Sequence, residues 1–329
     1  MTASCPRGRR AIWVIAGLLW LALLPSLATA QAAAQPSGNP FLGVPIYVDP
    51  GSNAHHQADL WRRTRPVDAA LMDKLAAQPE ALWFGSWGTD VRADVAVRVA
   101  AAQAVGALPV LVAYNIPRRE CGGLASGGAP SPVAYQGWIA AFAAGLGQAK
   151  AAVVVEPDAL PGIDCLRPAQ RRERIALLRY AVTALSGDAN AAVYLDAGNR
   201  GWRSARAMAS LLRKAGVRRA RGFAVNVSNF DPTKREIAYG RRISRRVGGK
   251  PFVIDTSRNG VGPTRDRQWC NPPGRALGAV PTGATGARRV DAFLWIKPPG
   301  ESDGRCHGGP PAGAWWPDYA LGLARRAGW

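Results

Sequence analysis

Residues 151–165 read AAVVVEPDALPGIDC, a β-branched apolar run that ends abruptly in two carboxylates, Glu156 and Asp158, with Pro157 between them. A run that is apolar at every position, not at alternate ones, is the pattern of a strand buried on both faces, as in a parallel sheet. Similar runs recur as GVPIYV, ALWFGS, LPVLVAY, AAVYLD, GFAVNV, PFVID and DAFLWI. They alternate with helix-like stretches at 91–106, 133–148, 169–186, 204–215, 233–247 and 314–327. About eight such units with no break in composition point to an α/β fold in one domain, and to a parallel barrel rather than a doubly wound sheet.

The chain has 329 residues and is 48% hydrophobic, enough for a sizeable core. Arg7, Arg9 and Arg10 precede the apolar run AIWVIAGLLWLALL and then ATA, which reads as a signal peptide over residues 1–30. The run has 14 residues, fewer than the ~20 of a spanning helix, and an uncleaved anchor is the alternative. Residues 31–39 form a short Ala, Gln, Pro, Ser and Gly leader, and residues 40–329 the domain. Export places the protein outside the cell, with no stable membrane insertion once the signal is cut. Of the five cysteines, Cys5 belongs to the signal, and Cys121, Cys165, Cys270 and Cys306 remain. An even number in an oxidising compartment predicts two disulfides; three pairings are possible, and the sequential one closes the shortest loops. A metal site is the weaker reading, because there is no CxxC and the only histidines are His55, His56 and His307.

The formal charge is +20; without the three signal arginines, 39 basic residues stand against 22 acidic ones, a net +17. The arginines are scattered over helix-like segments such as RPAQRRERIALLRYA, which predicts solvated faces and no nucleic-acid partner.

In a parallel barrel every strand delivers its C-terminal end to one face, where active sites form. Glu156 and Asp158 are expected there, with Tyr114, Asn115, Glu120, Asp196, Asn226, Asn229, Asp255, Arg258, Lys297, Glu301 and Asp303. Singly, each such residue is as well explained by a helix cap or a loop hydrogen bond. Together they combine acids, bases and tryptophans at one rim. The sequence contains no GxSxG, GxxxxGK[ST], GxGxxG or HExxH. Carboxylates with aromatics are the equipment for cutting a glycosidic bond, in which one acid protonates the leaving oxygen and another carboxylate handles water or the sugar cation. Ten of the twelve tryptophans lie beyond the signal and could stack on the apolar faces of sugars.

The segments YNIPRRECGGLASGG, VVVEPDALPG, YLDAGNRGW, GFAVNVSNF, IDTSRNGVGP, QWCNPPGRALG and DAFLWIKPPGESDG occur in this order, and through them the chain resembles glycoside hydrolase family 6. The resemblance implies a distorted, incompletely closed β/α barrel and an inverting cleavage of β-1,4-glucan or cello-oligosaccharide. It implies no metal or organic cofactor, and the chain is expected to be a monomer. It also implies the sequential disulfides, Cys121 with Cys165 and Cys270 with Cys306.

Carried over residue by residue, the resemblance makes Asp158 the general acid, Asp196 a supporting carboxylate, and Asp303 the candidate base with Arg258 beside it. Glu120 stands where the family has an aspartate, a departure that lengthens the side chain by one methylene. Tyr114, Arg119 and Ser126 match its supporting partners. Trp202 and Trp269 match sugar platforms, and Asn229, Lys297 and Glu301 match sugar contacts. Asn199 stands where many relatives have histidine. An aspartate paired with arginine is a poor base, so a relay through water is the alternative to Asp303. The compact segment between Cys270 and Cys306 favours an open cleft and internal cutting. The alternatives are a cellobiohydrolase of the same family and a secreted glucan-binding protein impaired in catalysis by Glu120.

Overall fold

A computed structural model of the chain describes residues 1, 2, 4, 38–187 and 190–329. The expected signal peptide and most of the leader lie outside the described residues. Strands β1 (Leu82–Gly85), β2 (Val110–Tyr114), β3 (Ala151–Val155), β4 (Ala191–Asp196), β5 (Gly222–Val225), β6 (Phe252–Asp255) and β7 (Val290–Leu294) make one sheet in chain order. Every neighbouring pair is parallel. Helices α1 (Asn53–Trp61) and α2 (Pro66–Ala76) precede the sheet, and α3 (Val91–Ala104), α4 (Pro132–Leu146), α5 (Pro168–Gly187), α6 (Ala205–Lys214) and α7 (Thr233–Arg246) connect successive strands. The last helix, α8 (Pro317–Arg326), follows β7.

Because side chains alternate across a strand, the uniform apolar runs split into two cores. Leu111, Val153, Val155, Val193, Leu195, Phe223 and Ile254 pack outward with the helices. Val112, Ala152, Val154, Ala192, Tyr194, Ala224, Val253 and Ala292 point inward and fill the barrel. Four of those inner residues are alanines, leaving room for Tyr194, whose hydroxyl donates to Asp291 Oδ2 at 2.8 Å.

The barrel stops short of closure. Between the edge strands the links are single contacts: Ala81 N donates to Trp295 O at 3.0 Å and Trp83 Nε1 to Ile296 O at 2.7 Å. The expected strand GVPIYV does not form. It contributes one isolated bridge, Ile46 to Leu108, with Leu108 N donating to Pro45 O and Tyr47 N to Leu108 O. Proline at 45 has no N–H to extend the ladder, so the run ends as a single contact beside β2. α1 and α2 lie outside the helical stretches read from sequence. Their signals are local: the Ser52 hydroxyl caps α1 by accepting from His55 N at 3.3 Å, and Pro66 opens α2 at its first turn.

Candidate active site

A cleft of about 1470 Å³ crosses the C-terminal face of the sheet. One wall comes from the loops after β2 and β3, tied together by the Cys121–Cys165 disulfide with Cα atoms 6.3 Å apart. The other comes from the loops after β6 and β7, tied by Cys270–Cys306 with Cα atoms 6.2 Å apart. Both bridges are the sequential ones.

On the first wall, β3 runs straight into Glu156 and Asp158, whose backbones take left-handed φ values of 51° and 68°. Such conformations cost about 1–3 kcal/mol each for residues other than glycine, and persist where surrounding bonds over-determine them. Those bonds are visible. The Glu156 carboxylate accepts from Asn115 N and Ile116 N, each at 3.0 Å, and Asp196 Oδ2 accepts from Asp158 N at 2.9 Å. The turn aims the Asp158 carboxyl into the cleft. Enclosure by protein pushes its pKa well above the usual carboxylate range, and the charges of Asp196, Glu120 and Asp303 push it further, with Lys297 opposing them. Such a setting favours the protonated form of the carboxyl.

Beside it, the Tyr114 hydroxyl donates to the Glu120 carboxylate, and Ala125 N donates to Glu120 Oε2 at 2.8 Å. The longer glutamate thus folds back onto its own loop and onto Tyr114. Arg119 is buried; it donates to Tyr114 O at 2.7 Å, Ala125 O at 2.8 Å and Ser126 O at 3.2 Å, fixing the loop that presents Ser126 to the cleft.

On the second wall, Asp303 Oδ2 accepts from Arg258 Nη1 at 2.8 Å and from Asn271 N at 2.9 Å. Arg258 is fully buried and packs over Phe230 at 4.5 Å, and it also donates to Ser228 O. Lys297 Nζ lies 3.6 Å from Glu301 Oε2. Glu301 is shifted upward by burial, with Lys297 pulling it back. Trp202, Trp269 and Asn229 also line the cleft; Asn229 Nδ2 donates to Val227 O at 2.9 Å, and the two indoles remain 44% and 56% exposed, so the groove is open along its rim.

The structure corrects part of the sequence-derived rim. Glu156, Asp196, Asn226 and Asp255 are buried behind the cleft wall and serve the backbone. Asp255 accepts from Ser228 N, Ser257 N and Lys297 N at 2.9, 2.9 and 3.0 Å. Asp196 touches the site through Asp158 N, and burial, partly offset by backbone N–H donors, lifts it to about 7. Burial likewise lifts Glu156 to about 7. A strand-end acid aimed into the cleft and one turned back to cap N–H groups have the same sequence signature. Conversely, Trp83, Trp87, Asp49, Glu80 and Arg98 line the cleft although the sequence did not single them out. The one available signal was a tryptophan pair in and just beyond β1; Trp83 meets Tyr114 edge-on at 5.0 Å.

Two carboxyls thus line the cleft from different walls, Asp158 with its pKa raised by burial and by neighbouring acids and Asp303 bonded to Arg258. The profile of glycosyl hydrolases family 6 matches residues 41–327. The chain belongs to this family. It is 43% identical over 287 residues to Endoglucanase A of Cellulomonas fimi, covering 86% of this chain, and spans only 62% of that relative's length. It is also 43% identical to Endoglucanase 1 of Streptomyces halstedii, covering 84% of this chain and 87% of that protein. Among solved structures, the endoglucanase Cel6 from Mycobacterium tuberculosis, in complex with a thio-linked cellobioside, superposes with a TM-score of 0.85 at 50% identity, over 89% of this chain and all of that one. The catalytic core of the cellobiohydrolase Cel6A from Chaetomium thermophilum superposes with a TM-score of 0.75 at 27% identity, over 89% of this chain and 99% of that one. Family members with both modes of action therefore share the fold.

Proposed function

We propose that the protein is a secreted endo-β-1,4-glucanase that cleaves with inversion. The observation that carries this reading is the pair of opposed carboxyls, Asp158 and Asp303, in a groove whose rim is open at Trp202 and Trp269. Asp158 donates its proton to the glycosidic oxygen as the bond breaks. Water attacks the anomeric carbon from the opposite side, and its proton passes to Asp303, directly or through a water relay held by Tyr114, Glu120 and Ser126. Asp196 positions Asp158 through its backbone, and Arg258 positions Asp303. Trp202 and Trp269 stack on glucosyl rings, and Asn229, Lys297 and Glu301 bind sugar hydroxyls. The named activities of the relatives, endoglucanase above all, support the substrate class.

The signal-like residues 1–30 support export, and no helix among the described residues is long and apolar enough to cross a membrane. A glucan-binding protein that does not turn over is the second reading, favoured by the way Glu120 spends its carboxylate on Tyr114 and Ala125. Reducing-end release from carboxymethyl cellulose, with viscosity followed in parallel, separates the readings. An endo-acting enzyme drops viscosity early at few cuts, an exo-acting one does not, and a binder releases no ends.

A further inference from the structure

Trp202 and Trp269 come from different loops, one after β4 and one after β6, yet a single buried residue reaches both loops. Asp231, 2% exposed, sits between β5 and α7. Its Oδ1 accepts from Arg200 Nη1 at 3.2 Å and its Oδ2 from Arg267 Nη2 at 2.8 Å. Arg200 stands two residues before Trp202, and Arg267 two residues before Trp269. The base of this fork is itself fixed. Asn226 Oδ1 accepts from Asp231 N at 3.1 Å, and Asn226 Nδ2 and Asn259 Nδ2 donate to Asp231 O at 3.3 and 3.0 Å. Arg200 N also donates to buried Glu236 at 3.0 Å, which pins the same loop from beneath. The loops touch directly: a Cβ on Gly201 would come 2.0 Å from Arg267 Nη2, so the guanidinium lies over the glycine.

We propose that Asp231 is a positioning residue that clamps the two tryptophan-bearing loops into one rigid wall, so that both indoles meet a glucan chain already aligned. The inference rests on the reading of Trp202 and Trp269 as sugar platforms. A buried carboxylate bonded to two guanidinium groups is a strong, directional tie, and a wall ordered beforehand spares the sugar the entropy of ordering it. Asp231 itself does not line the cleft, so its effect passes through the loops.

The test is calorimetric binding of cellohexaose to Asp158→Asn protein, in which turnover does not intrude. Adding Asp231→Asn should weaken binding roughly tenfold, and Trp202→Ala should then cost less than it does with Asp231 in place, a coupling that a double-mutant cycle reads. Arg200→Gln, which cuts one arm at a half-exposed side chain away from the cleft, should act in the same direction by a few fold and covers the case in which Asp231→Asn does not fold. Binding that is present and indifferent to both changes overturns the clamp alone. No cellohexaose binding by the parent protein overturns the platform reading itself, and the clamp with it.

Discussion

The two walls of the cleft are built alike and charged differently. Each joins two strand-end loops through one disulfide, and each presents a half-buried aspartate, Asp158 on one and Asp303 on the other. Asp158 has acids for neighbours, with Asp196, Glu120 and Asp303 all raising its pKa, whereas Asp303 bonds the buried guanidinium of Arg258. The difference teaches that residue type does not assign chemical role. Two aspartates stand in opposite electrostatic settings through the company each keeps, one among acids and one against a guanidinium.

The sharpest way to break this contrast is Asp158→Asn, which should lower turnover on soluble glucan by a factor on the order of 10² to 10⁴ while cellohexaose still binds. Activity surviving intact would place the proton elsewhere. Substrates with good leaving groups need less protonation and should be affected less.

Staple removal comes next. Replacing the cysteines of either bridge by serine opens a sequence separation of 44 residues (Cys121–Cys165) or 36 (Cys270–Cys306). On loop-closure grounds each change should cost about 4 kcal/mol of stability, read by denaturant unfolding. Near-equal losses are expected, because the logarithm barely distinguishes the two lengths. A large inequality would show that one wall depends on its staple for more than chain entropy.

Glu120 tests what the first wall contributes beyond Asp158. Glu120→Ala should lower turnover by roughly tenfold. It should also move the alkaline limb of the pH profile to lower pH, because removing a neighbouring negative charge lets Asp158 lose its proton sooner. Glu120→Asp should retain activity. An unmoved limb in the alanine variant would detach Glu120 from the acid.

The smallest effect concerns stability and pH. Glu156 and Asp196 titrate at about 7 and Glu236 at about 8 in the folded protein, all raised chiefly by burial. Above the ordinary pKa near 4, the unfolded chain loses these protons while the folded chain keeps them, so stability falls as pH rises and levels off beyond about 8. The melting temperature should be higher at pH 5 than at pH 8; the opposite order would contradict the assigned burial costs.

Much of this was legible in the sequence, and the gaps have physical causes. The runs from ALWFGS to DAFLWI became strands because parallel strands covered on both faces are apolar throughout. GVPIYV has the same composition, but pairing is non-local and Pro45 cannot donate. The stretches that became α1 and α2 are short, 9 and 11 residues, and precede the first strand of the alternating pattern, so only Ser52 and Pro66 mark where they start. The matching segments put Asp158 and Asp303 at the cleft, and both line it. Asp196 and Asp255 end strands in the same way, and only three-dimensional packing shows that their carboxylates turn inward to hold backbone N–H groups. Asp231 left no sequence signal, because its two arginine partners lie 31 residues before it and 36 after it.

The division of labour between the walls has one direct readout. If Asp158 protonates the leaving oxygen from one side while water enters from the side of Asp303, the new reducing end carries inverted configuration. Proton NMR of cellohexaose hydrolysis, recorded before mutarotation, should show the α-anomer accumulating first. Initial release of the β-anomer would contradict the account, because it would require a carboxylate to attack the sugar directly.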